Sequence, residues 1–197
     1  MYKMNKIRYI LGILVVVLSA STSFAETKVS TIYANYPISG HNIHEIRQDL
    51  LVSGLKDGHG GVFAAKTSPK FTWKYNFAKT ANGCFIKSTD VEVEITYQLP
   101  EPSNYEDLNN TDKTEWTRYS TAVYQHEKGH ANLSIETAKE IEWEARNILP
   151  KSSCGEVART ANMLISNILN NHEHNNLAYD TKTTHGVVQG AVFAAAQ

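Results

Sequence analysis

His126-Glu127-Lys128-Gly129-His130 is the segment whose residue types and spacing carry the most chemistry. On a helix, residues four apart project from one face, a turn from each other. Two imidazoles so placed can bind one zinc ion, with Glu127 to the side where a water on that ion would sit. The glutamate then serves as general base, and the zinc lowers the pKa of the water toward neutrality. Gly129 fits this reading. Glycine costs about 1 kcal/mol in a helix interior, so its place beside His130 predicts a close approach by backbone or substrate. The alternative is a helix with two core histidines and a solvent-facing glutamate.

A catalytic zinc takes a third protein ligand. Glu136 and Glu140 are too near along the same helix to fold back. Glu156 has the separation of a downstream glutamate ligand, but a capping role already explains it. His172, on the apolar side of a later helix, can reach the metal. Asp180 and His185 stand in Tyr179-Asp180-Thr181-Lys182-Thr183-Thr184-His185-Gly186, read as a polar, irregular tail folded over the site. His185 is the preferred third ligand, because imidazole is the better zinc donor. Asp180 is placed as a residue that orients a metal histidine, or as the ligand in its stead. Tyr179 is a candidate to stabilise an oxyanion. His41, His44, His59 and His174 read as surface residues.

The elements that must position these groups follow from periodicity. Lys28 to Pro37 is rich in Val, Ile, Thr and Tyr and predicts an opening strand. Ile43, Ile46, Leu50 and Leu51 fall on one face of a short helix ending near Gly54. Phe71, Trp73, Tyr75 and Phe77 alternate with polar residues, as do Val91, Val93, Ile95 and Tyr97. Asn82-Gly83 between them is a hairpin signal, and Pro100 and Pro102 end the second strand. From Trp116 to Ile148 apolar residues and histidines recur every three or four positions, until Pro150. Ser153-x-x-Glu156 is a capping box opening a second helix, whose end is read as frayed from Asn170 to Asn176. The predicted class is α+β and zincin-like: a small antiparallel sheet, a long helix bearing the HExxH segment and a second packed helix.

Composition narrows the function classes. Lys3, Lys6 and Arg8 precede an apolar run from Tyr9 to Leu18, and Ser23-Phe24-Ala25 supplies small residues for cleavage. This predicts a signal peptide over residues 1–25 and a secreted or periplasmic protein. Residues 26–197 then form a single zinc metallopeptidase-like domain. Of nineteen basic and twenty acidic residues, only three basic ones lie before Ala25, so the mature chain is mildly acidic. It shows no basic stripe for nucleic acid and no second apolar run of membrane length. Cys84 and Cys154 form an even pair beside Gly83 and Gly155, and in an oxidising compartment they predict a disulfide joining the middle region to the C-terminal helix.

The export signal, the HEKGH helix and YDTKTTHG followed by Gln189-Gly190 together resemble the bacterial domain-of-unknown-function family 922, described as predicted secreted zinc-dependent proteases. The resemblance covers most of the mature chain, including the Asn82-Gly83-Cys84 turn. It implies an exported metallopeptidase acting on protein or peptide, and names neither the substrate nor the third ligand. A zinc amidase acting on cell-wall peptides would use the same residues. A binding module with a structural zinc would instead close the site with a fourth protein ligand.

Overall fold

The two alternating runs build one long hairpin. In the computed structural model, which describes residues 27–56 and 61–194, β5 (Lys66–Thr80) and β6 (Gly83–Gln98) pair antiparallel around the Ala81-Asn82 turn. Strand β1 (Lys28–Tyr33) lies on the other side of β6, parallel to it, which makes the sheet mixed with the order β1-β6-β5. A parallel neighbour requires a long crossover, and the chain from β1 to β6 contains a helix and the first hairpin strand. Pro69 is accommodated because β5 is an edge strand. The predicted signal peptide and His59 lie outside the described residues.

Smaller elements frame this sheet. Strand β2 (Tyr36–Ile38) pairs in parallel with β7 (Pro100–Pro102), so the prolines that end β6 begin a second short ladder. Helix α1 (Ile43–Ser53) starts at Asn42, whose side chain accepts from the Glu45 backbone N–H, and stops at Gly54. Strands β3 (Leu55–Lys56) and β4 (Val62–Phe63) form a short antiparallel pair that leads into β5.

Two long helices cover one face of the sheet. Helix α2 (Asn110–Arg146) is capped by Asn109, which accepts from the Asp112 N–H. Helix α3 (Cys154–Thr183) is capped by Ser153, which accepts from the Glu156 N–H as the capping box predicts. Val91, Val93, Ile95 and Tyr97 of β6 are buried against Ala131, Ala138, Ile141, Ile165 and Ile168 of the helices. Each valine and isoleucine of this layer contributes about 1.5–3 kcal/mol by leaving water. A second cluster joins Ile38, Ile46 and Leu50 to Trp116, Tyr119 and Val123. The chain is therefore an α+β fold with a small sheet and two long packed helices.

At the end remote from the HEKGH segment, Cys84 and Cys154 form a disulfide. Backbone hydrogen bonds between Cys84 and Lys151, 2.8 and 2.9 Å, hold the two segments in register there. Among the described residues no helix is long and apolar enough to cross a membrane.

Candidate metal centre

Helix α2 carries His126, Glu127 and His130 in mid-helix, and the burial of its flanking apolar stripe fixes which way they face. His126 and Glu127 are nearly buried, at 6% and 5% exposure. The two histidines turn toward α3 and Glu127 toward β5. His126 Nε2 and His130 Nε2 lie 3.3 Å apart. Asp180 Oδ1 stands 3.2 Å from the first and 3.0 Å from the second. The ligand atoms of these three residues all fall within 4.8 Å of one another, a group able to hold a metal ion.

Asp180 reaches this position because α3 does not fray at Asn170. The helix continues to Thr183, so the segment read as an irregular tail is helical through most of its length. The polar run from Asn170 to Asn176 has little helix propensity of its own. It is held by packing: His172 is buried, its Nδ1 is 3.1 Å from Thr137 Oγ1, and its ring meets Phe71 edge-on. Burial holds His172 below the ordinary histidine pKa, against the pull of Glu173 and with the neighbouring His130 adding to the effect. His172, Asn176 and Asp180 recur at four-residue spacing, which lines them along α2.

His185 is not in the gathered group. Its Nδ1 is 3.8 Å from Asp180 Oδ1 and its side chain is 66% exposed, near the ring of Phe63. The cause is local. Helix α3 is followed by Thr184 and His185, both at positive φ, and then by Gly186 at φ 84°. This left-handed turn carries the His185 ring to the outside of Asp180. Glu156 sits at the opposite end of α3, about 36 Å from Asp180 at the helical rise. His41, His44 and His174 are exposed.

Beyond Gly186 the chain folds back along α2. A Cβ on Gly186 would come within 3.0 Å of the His126 ring, so this passage is tight. Arg118 donates to the carbonyls of Gly190 and Val192, Glu115 accepts from the Ala194 N–H, and Phe193 stacks on Tyr119. This C-terminal strap brings Gln189 to the site. Gln189 Oε1 lies 3.0 Å from His126 Nδ1, while Asn176 Oδ1 lies 2.6 Å from His130 Nδ1.

The orientation of each amide is set by its other contacts. Asn176 Nδ2 donates to the His172 carbonyl at 2.8 Å. Gln189 Nε2 donates to the Tyr179 hydroxyl at 3.0 Å, and that hydroxyl in turn donates to the His126 carbonyl at 3.3 Å. Each amide therefore offers an oxygen to its histidine, which makes Nδ1 the donor in a neutral ring. Both Nε2 lone pairs then converge with the Asp180 carboxylate, an arrangement that calls for a cation between them. Motif spacing does not mark Asn176 or Gln189 as site residues. The signal for Asn176 was its four-residue offset from Asp180, readable once the segment is taken as helix.

Glu127 is held from the sheet. Thr67 Oγ1, near the start of β5, lies 2.7 Å from Glu127 Oε2 and 3.1 Å from its backbone carbonyl. Burial pushes Tyr97 up to about 12, with Tyr124, Tyr33 and the Glu127 carboxylate adding in the same sense, so its hydroxyl stays protonated nearby. Tyr179 stacks on His126 with ring centroids 5.2 Å apart, and its hydroxyl is engaged with α2 and Gln189.

No curated protein and no solved structure matches the chain. A family model described as bacterial protein of unknown function (DUF922) matches residues 33–186, which include the whole of the HEKGH helix, Asp180 and His185. The chain belongs to that family.

Proposed function

We propose that this protein is an exported, single-domain, zincin-like metallopeptidase, with zinc held by His126, His130 and Asp180 and with Glu127 as general base. The observation that carries the reading is the convergence of three ligand atoms within 4.8 Å, one residue away from a carboxylate held by Thr67. Two imidazoles and a carboxylate suit zinc, and three protein donors are the number a catalytic zinc takes. Asp180 retains 24% side-chain exposure and His185 stands open beside it, which supports an accessible rather than a closed site. The disulfide supports export to an oxidising compartment, together with the predicted cleavage near Ala25.

Zinc, when bound, supplies polarisation of the scissile carbonyl and acidifies water. The remaining work falls to the chain. Glu127 would accept a proton from the attacking water and return it to the leaving nitrogen, and with the water's second proton also ending there the peptide becomes a carboxylate and an ammonium. Thr67 occupies Oε2 of that carboxylate and leaves Oε1 as the proton acceptor. His185, outside the ligand group and 66% exposed beside Asp180, would meet substrate there. A peptide in a protein and a peptide in the cell wall present the same bond, so either is a substrate for this chemistry.

The test uses the purified mature chain loaded with zinc. Hydrolysis of denatured casein and of cell-wall muropeptides is followed by release of new amines, with Glu127→Gln alongside. We expect about one zinc in each protein and cleavage of one substrate class by the wild type alone. Absence of zinc binding, or equal cleavage by the variant, overturns the proposal.

A further inference from the structure

The ligand group is held by two amide side chains that approach from different parts of the chain. Asn176 belongs to α3, four residues before Asp180, and accepts from His130. Gln189 belongs to the C-terminal strap and accepts from His126. Neither can be a metal donor where it stands, since its oxygen is spent on the far nitrogen of an imidazole. A histidine ring has two ways to present itself, and a hydrogen bond at Nδ1 selects the one with Nε2 inward and makes that nitrogen more basic.

We propose that Asn176 and Gln189 are positioning residues that set the metal affinity of the site, and that through Gln189 the docking of the C-terminal strap and the binding of the metal are coupled. The inference rests on the metal reading above. The strap is fastened to α2 by Arg118, Glu115 and Phe193, through contacts that involve none of the three ligand residues. Whatever undocks it withdraws Gln189 from His126 and frees that ring. By linkage, metal bound at the far side must hold the strap down to the same degree.

The geometry supplies a clean control. Asn176→Leu and Asn176→Asp both lose the Nδ2 bond to the His172 carbonyl, but only the leucine loses the acceptor facing His130. Gln189→Leu and Gln189→Glu differ likewise: both lose the bond to Tyr179, and only the leucine loses the acceptor facing His126. A purely structural role would be disturbed equally within each pair. A positioning role is rescued by the acid.

Zinc affinity of the full mature chain is measured by competition with a chromophoric chelator, wild type first. The leucine variants should bind about 10–100-fold more weakly, and the acid variants as tightly as wild type or more so. Arg118→Gln substitutes neither histidine and neither amide, and should weaken binding about fivefold or more by loosening the strap. Zinc should also slow proteolytic clipping of the strap in the wild type. Leucine and acid variants with equal affinities would overturn the positioning role. If a leucine variant fails to fold, as read by circular dichroism, Arg118→Gln and the clipping assay decide the coupling. Wild-type affinity in Arg118→Gln, with clipping indifferent to zinc, overturns it. A wild type that binds no zinc fails the metal reading itself, a result distinct from either.

Discussion

The Tyr179 hydroxyl occupies the space that a Cβ on Gly129 would need: the two atoms would be 2.0 Å apart. Glycine at this point in α2 is thus a packing requirement, set by a side chain of α3 that is itself locked by Gln189 and by stacking on His126. The close approach beside His130 is made by the Tyr179 side chain, not by backbone or substrate as the glycine predicts.

Gly129→Ala should therefore destabilise the fold. Overpacking costs about 1–3 kcal/mol, against a gain of about 1 kcal/mol in helix propensity. In a Tyr179→Ala background the clash is gone and the same substitution should become stabilising. Urea unfolding of the four proteins in this cycle checks the reversal of sign.

Asp180→Ala should abolish stable zinc binding, because it removes one of three donors within 4.8 Å. His185→Ala should leave about one zinc per chain and weaken affinity far less, since its nitrogen lies outside that group. Elemental analysis after dialysis separates the two. Zinc lost only in His185→Ala would transfer the third position to that residue.

Thr67→Val should keep zinc and the fold but reduce turnover, about 10-fold or more for a mispositioned general base. Thr67→Ser keeps the hydroxyl that donates to Glu127 and should restore most of the rate. The comparison is made in kcat, using the substrate class that the wild type cleaves.

Removing the Cys84–Cys154 bridge by a double serine substitution should cost about 2–4 kcal/mol, as for a crosslink closing a long loop. The bridge lies at the opposite end of α3 from Asp180, so zinc stoichiometry of the folded double variant should be unchanged. Chemical denaturation and metal analysis on the same sample test both halves.

The strap clamp has a defined pH range. The Arg118 guanidinium holds Glu115 down to about 2, with the Ala194 N–H adding to the effect. A carboxylate whose pKa is lower in the folded state stabilises the fold above its unfolded value, and loses that contribution as pH falls through the folded one. Glu115→Gln should therefore be less stable than wild type at pH 7, by a margin that stays constant down to about 4.5 and shrinks toward pH 2. Urea midpoints of both proteins across that range provide the check.

Local geometry made much of the molecule legible in the sequence. The alternation of β5 and β6, the turn between them, the capping box of α3 and the pairing of Cys84 with Cys154 depend on neighbours in the chain or on compartment chemistry. His126, Glu127 and His130 needed only the pitch of a helix to be set side by side. The rest was decided by tertiary packing. Nothing in the propensity of Asn170 to Asn176 predicts a helix, because that helix is stable only where His172 and Asn176 meet α2. Carrying α3 through to Thr183 brings Asp180 beside His126 and His130, and the left-handed turn after it puts His185 outside. The parallel placement of β1 and the return of the strap along α2 likewise rest on contacts between residues far apart in the chain. Periodicity within one segment carries no record of such contacts.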